Sequence, residues 1–478
     1  MLNFNEVTMK KFIYSITVLL VAFTFQSCEE ELEQLPNNAF APESFYKTTQ
    51  DFEFATRALY SGLFSGSYYG GSFLSRPDIT SDNVIVAQAG RKSNLSFYEW
   101  RYKANSGWDM MGSAYVVIGR ANQIIEKIDN LNDGAAKDNF LGEALAVRAL
   151  AHFDLLRVYS RVSEGGSLGM PYVTGIDPNY EAPRPTVNET LASVIADLNT
   201  AKGLIGSSST KSRFTKNGVN ALLSRVHLYA GNYDDAIDAA NAVTATVATR
   251  TNFPQVWTDS STDGVILKLD QNASIDDIGV GIEWSQSSSS GIIPEYVWSY
   301  EFVTSIDDAD VRKAAYADQI PDASGNLYNA IIKMYGEAGQ QNGSVDAKVL
   351  RAAEVYLNKA EAMYFSNNAA GALTALDVVR ANRYANFVSG GETGSDLLAA
   401  IQHERRVELA AEGHRLFDLR RWGLGVSRSA TEGEFFDGTG TPAITNARTM
   451  TAGDYRMVFP IPQSEINIYT DLQQNPDY

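Results

Sequence analysis

Apolar side chains recur at helical spacing along much of the chain. The clearest stripe is Val349, Ala352, Ala353, Tyr356, Leu357, Ala360, Met363 and Tyr364, the i, i+3, i+4, i+7 pattern of one buried helix face. Val219, Leu222, Leu223, Val226 and Tyr229 form a second stripe. Leu141, Leu145, Leu150, Phe153, Leu156 and Tyr159 form a third, within residues 138–160. Residues 186–205 open on Thr186-Val187-Asn188-Glu189, a capping-box spacing with Thr186 at the N-cap and Glu189 at N3. Residues 49–64 and 108–131 read as further helices, and Leu397, Leu398, Ile401, Val407, Leu409 and Ala410 predict one over 396–412.

Two of these stretches resemble each other without a gap, at an offset of 136 residues: Ala221 to Val243 and Leu357 to Val379. In each, one helix ends near Gly231-Asn232 or Asn367-Asn368 and a second begins at once. Small alanines allow close helix approach, and Gly or Asn tolerates the turn, as in tetratricopeptide helix pairs. The copies are not tandem, so long inserts separate the pairs. The inserts at 65–107, 251–345 and 424–457 are rich in Gly, Ser, Asn and aromatic residues, and long loops on a rigid frame are where binding surfaces usually sit.

Composition narrows the function. Of 478 residues, 39 are basic and 57 acidic, a net charge of −18, which argues against a general nucleic-acid binder. The single cysteine, Cys28, excludes an intramolecular disulfide and a CxxC zinc site. It follows Met9-Lys10-Lys11, an apolar run from Phe12 to Phe25, and Gln26-Ser27. A basic start and a short apolar stretch describe a secretory signal, too short to span a bilayer comfortably. Ser27-Cys28 resembles the lipobox of bacterial lipoproteins, with residues 1–27 removed and Cys28 lipidated; the plainer alternative is an ordinary signal with an incidental cysteine. The acidic residues after Cys28 then read as a tether over 28–40, followed by one body divided into 41–250 and 251–478.

Catalytic chemistry is sparse. His403-Glu404 lacks the second histidine of HExxH, because position 407 is Val407. No GxSxG, P-loop or strand-linked GxGxxG pattern occurs. Asp307, Asp308 and Asp310 before Arg312 read as a loop with a helix cap. The Arg- and Glu-rich run from Glu404 to Gly423 reads either as an anion site or as a network tying helices together, with the second favoured. Phe153-Asp154-Leu155-x-Arg157 echoes Phe417-Asp418-Leu419-x-Arg421, which suits a packing device.

The run from Glu404 to Gly423, Val355 to Ala362, Phe459 to Ile466 with Gln474-Asn475-Pro476, Gly142 to Tyr159 and Gly169 to Tyr172 together resemble the SusD/RagB family of outer-membrane lipoproteins. The resemblance spans essentially the whole chain. It implies a mainly α fold, with four tetratricopeptide-like helix pairs, few short strands and an irregular loop-rich ligand face. It also implies a non-catalytic, cofactor-free, lipid-anchored protein at the cell surface. Such a protein passes oligosaccharides to a SusC-like, TonB-dependent outer-membrane barrel.

Sugars stack their CH faces on aromatic rings and leave hydroxyls for polar side chains. Candidate ligand residues are therefore Asp82, Asn83, Arg91, Trp100 and Tyr102 in one insert, and Trp284, Tyr296 and Trp298 in another. Rings at such positions also often pack ordinary cores. A peptide-binding member of the same family and a protein-interaction scaffold built on the helix pairs are the alternative functions.

Overall fold

The computed structural model describes residues 45–177, 183–271, 279–288, 291–336 and 343–478. Cys28, the signal and the tether lie outside the described residues. The main helices are α1 (Thr49–Leu63), α2 (Ser72–Ile79), α3 (Met111–Lys127), α4 (Ala135–Tyr159), α5 (Val187–Leu204), α6 (Lys216–Ala230), α7 (Tyr233–Asn241), α8 (Ala352–Phe365), α9 (Ala369–Ala381), α10 (Gly394–Glu408), α11 (Arg415–Arg421) and α12 (Gln463–Ile468). Four helix pairs result: α1 with α3, α4 with α5, α6 with α7, and α8 with α9. The protein is mainly α-helical, as the resemblance implies.

The two similar stretches become neighbours. Helix α8 packs on both α6 and α7. Arg225 of α6 forks onto Glu354 of α8 at 2.5 and 2.6 Å, and Asn358 Nδ2 donates to Ser224 Oγ at 3.1 Å. The turn positions correspond at the repeat offset. Gly231 has φ +74° and Asn367 φ +59°, the left-handed conformation that closes a helix end and favours Gly or Asn. Helix α4 is buried on nearly every side from Gly142 to Tyr159, so it is the central helix and not the one-faced helix its stripe suggests. Thr186 and Glu189 do form the reciprocal capping box: Glu189 N–H donates to Thr186 Oγ1 at 3.2 Å, and Thr186 N–H to Glu189 Oε2 at 2.7 Å.

The strands are short. The largest sheet is antiparallel in the order β1 (Val84–Val86), β2 (Tyr296–Trp298), β4 (Leu327–Ile331), β3 (Ala317–Pro321), and Val84 pairs with Trp298. It joins the first long insert to the second. Val265–Leu269 pairs with Ala347–Arg351 and leads the chain back into α8.

A buried charge cluster ties these inserts to the helices. Glu408, at the end of α10, accepts from Arg351, Arg383 and Arg312 at 2.7–3.1 Å. Burial alone would raise its pKa, but Arg383 and Arg351, with Arg312, hold it well below the usual carboxylate range. Arg312 also forks onto Asp310 and reaches Glu404 at 2.6 Å, and Asp310 caps Arg312 N–H at 2.8 Å. Lys333 is fully buried. It donates to Ala410 O and Glu412 at 2.7 Å and lies 4.1 Å from the Trp257 ring centre. Burial lowers its pKa to about 8. The Asp154 and Asp418 echo has the same structural basis: each accepts from the arginine three residues on, Arg157 and Arg421.

One boundary differs from the sequence pattern. Helix α10 stops at Glu408, not near 412, and Ala411 takes φ +61°. The reason is competition for carbonyls. Glu408 O accepts from Arg351 at 3.0 Å and from the Tyr316 hydroxyl at 3.1 Å, and Ala410 O accepts from Lys333, so side chains replace the next helical turn. Gly413 lies beyond the helix end. It has φ +78°, and a Cβ there would stand 2.4 Å from Phe73 O.

Replacing Glu408 with Ala leaves three buried guanidiniums facing one another. Glu408→Ala should destabilise the fold by about 3–5 kcal/mol in urea unfolding. A loss below about 1 kcal/mol would show that the cluster does not hold the fold.

Candidate functional site

The loop-rich side carries a polar cleft of about 400 Å³ between β1, the segment after β2 and the 427–443 loop. Asp82, Tyr98, Ser299, Tyr300, Glu301 and Arg406 line it, with Ser427, Arg428, Ser429 and Glu432 opposite. Its floor is held by ion pairs. Arg415 forks onto Asp82 at 2.7 and 2.8 Å. Arg406 forks onto Glu301 at 2.8 and 2.9 Å and donates from Nε to Asn83 Oδ1 at 2.8 Å. Burial would raise the Asp82 pKa, but Arg415 and Arg406 outweigh it and hold that carboxyl at about 2.

Arg428 locks the opposite wall. It donates to the carbonyls of Ser81, Tyr98, Ala447 and Ile79 at 2.6–2.9 Å, and its guanidinium lies 3.8 Å from the Tyr98 ring centre. One side chain thereby fixes the 427–443 loop to the first insert. Ser299 caps the short helix Tyr300–Thr304, accepting from Phe302 N–H, and also donates to Asp82 O. That turn holds the half-buried Tyr300 ring at the cleft. Gly438 backs the ring from across the loop: a Cβ there would sit 3.2 Å from it.

The sequence candidates divide sharply. Asp82 lines the cleft, but as an ion-paired floor residue. Asn83 is fully buried beneath it, donating to Asp78 at 2.7 Å and accepting from Arg406. Arg91 is half exposed but is committed to buried Glu295 at 2.6 and 2.8 Å, outside the cleft. The five rings are corrections. Trp100, Tyr102, Trp284, Tyr296 and Trp298 are at most 2% exposed, and a ring without an exposed face cannot stack on a ligand.

Their polar atoms confirm the core role of several. Trp100 Nε1 donates to Thr80 O at 2.9 Å, Trp298 Nε1 to Tyr316 O at 2.8 Å, and the Tyr102 hydroxyl to Arg456 O. Pattern alone missed Tyr300, Glu301, Arg428 and Glu432 as cleft residues. A signal for Tyr300 did exist, since it follows the alternating Tyr296-x-Trp298 strand at the point where the strand ends. Among the described residues no grouping of His, Cys, Asp and Glu could hold a metal ion. No described helix is long and apolar enough to cross a membrane.

The family model described as SusD family matches residues 309–478, and the model described as starch-binding associating with outer membrane matches residues 70–228. The chain belongs to the SusD family. SusD-like protein P2 of Formosa agariphila is 27% identical over 87% of this chain and 92% of its own length. A SusD-like protein of Bacteroides ovatus is 21% identical, covering 85% of this chain and 82% of its own. Among solved structures, a SusD superfamily protein from Bacteroides thetaiotaomicron superposes with a TM-score of 0.79 at 25% identity, covering 90% of this chain and 100% of that one. A SusD-like carbohydrate binding protein from Bacteroides vulgatus gives 0.78 at 21% identity, covering 89% and 97%.

Below the cleft, Asp78 is fully buried and its Oδ2 has no partner among the described residues. Burial raises its pKa to about 7, against the weaker opposing pull of Asn83 and Ala411 N–H. A raised carboxyl pKa stabilises the fold below its ordinary range, and that contribution is lost as pH rises through about 7. Asp78→Asn, which mimics the neutral acid, should gain stability relative to the parent from about pH 4 to about pH 7 and keep that gain above about pH 7. Parallel pH profiles of the thermal midpoint would contradict this.

Proposed function

We propose that the protein is a non-catalytic, cell-surface glycan-binding lipoprotein. It captures oligosaccharide in the cleft at Tyr300 and delivers it to a SusC-like, TonB-dependent outer-membrane barrel, with lipidated Cys28 as its anchor. The observation that carries this reading is the cleft: it combines one half-buried ring with ion-paired and hydroxyl side chains on a rigid SusD-family frame. Tyr300 offers a face for a sugar ring, and Glu301, Arg406, Ser427, Ser429 and Glu432 suit its hydroxyls. The name of the Bacteroides vulgatus neighbour, a carbohydrate binding protein, points the same way.

The state of Asp82 supports binding without turnover. A glycosidase needs a protonated carboxyl within reach of the sugar, whereas Asp82 stays ionised to about pH 2 and Asp78, whose pKa is raised to about 7, is fully buried below the cleft. A peptide ligand is the second reading. It is favoured by the paired Glu301 and Arg406, whose opposite charges suit the ends or side chains of a peptide.

Calorimetric screening of the purified protein should find an oligosaccharide that binds and is not cleaved. Tyr300→Ala should weaken that binding about 3- to 10-fold without lowering the thermal midpoint. Unchanged affinity in both Tyr300→Ala and Glu301→Ala would place the ligand elsewhere, and binding of peptides alone would select the second reading. In cells, Cys28→Ala should move the protein from the membrane fraction to the soluble fraction; persistent membrane association would remove the lipid anchor from the account.

A further inference from the structure

A second, chemically different chamber of about 340 Å³ lies between helix α3, the segment 171–177 and the C-terminal helix α12. Its volume is at the small end of the roughly 300–1,000 Å³ typical of small-molecule sites. Met111, Ile118, Val173, Ile176 and Leu472 make its wall largely apolar, Asp177 and Glu465 are its acids, and no described lining residue is basic.

Two features call for a ligand. The first is Gly119, in the middle of α3. Gly is the poorest helix former after proline, and here no tight packing requires it: a Cβ at this position meets no described atom within 4 Å. The bare backbone instead faces the chamber. The second is Glu465 on α12. Its half-buried carboxylate makes no hydrogen bond or ion pair among the described residues, although it lines an apolar space. Burial and neighbouring Asp109 both raise its pKa, so its surroundings supply no compensating positive charge. An acid without a partner among the described residues, in a largely apolar chamber with no described basic lining residue, selects for a cation.

We propose that this chamber binds a small organic cation, an amine on an aromatic or branched aliphatic body. Glu465 is its counter-ion, and the bare backbone at Gly119 admits its apolar part. This site is separate from the glycan cleft and shares no lining residue with it.

Titration of the purified chain with tryptamine, tryptophol and indole-3-acetate presents one ring system with positive, neutral and negative tails. Tryptamine should bind about tenfold or more tightly than tryptophol, and indole-3-acetate not at all. Gly119→Leu should abolish tryptamine binding while keeping or raising the thermal midpoint and leaving any glycan binding intact. Glu465→Gln should bring tryptamine and tryptophol to similar affinity. The proposal is overturned if tryptamine does not bind, if it binds no better than indole-3-acetate, or if its binding survives Gly119→Leu.

Discussion

The fold depends on pairing buried charge across long stretches of chain. Glu408 receives guanidiniums from residues 312, 351 and 383, which lie in separate segments. None of these groups is tolerable in the interior by itself, because each ion loses its hydration. They become compatible only when all arrive together. The long inserts must therefore return to the helices in one arrangement. Arg225 with Glu354, and Arg405 and Arg421 with Asp418, extend the same constraint through the helix pairs.

The cleft inherits its rigidity from this pairing. Arg406 lies two residues before Glu408 on α10 and points the other way, to Asn83 and Glu301. Arg415, on the next helix, grips Asp82. The run that knits the core thus also builds the floor of the cleft, while Arg428 closes its wall. The charged groups there are held in place before any ligand arrives, which lowers the ordering cost of binding. The chamber at Gly119 is a contrast, with a largely apolar wall and Glu465 without a partner among the described residues.

Much of the architecture was legible. Helical periodicity located the repeated pairs, and the match of Gly231 with Asn367 identified equivalent left-handed turns. Thr186 and Glu189 announced their cap. The identity of the candidate rings was less informative, because tryptophan and tyrosine suit a core and a sugar site equally well. Trp298 is covered by Phe302, with ring centres 4.7 Å apart, and pairs in register with Val84 from the other insert. That coverage depends on contacts between distant segments, and no local spacing encodes it.

The sequence by itself determined the helices, their repeat and the stock of charges, because these follow from short-range spacing and side-chain type. It also carried the family signature. Only the tertiary structure decided which charges meet, where α10 stops and which aromatic ring faces solvent. The physical reason is the same in each case. Burial and pairing are properties of an environment assembled from segments far apart in the chain, and the energy of a charged or aromatic side chain changes with that environment more than with its immediate neighbours.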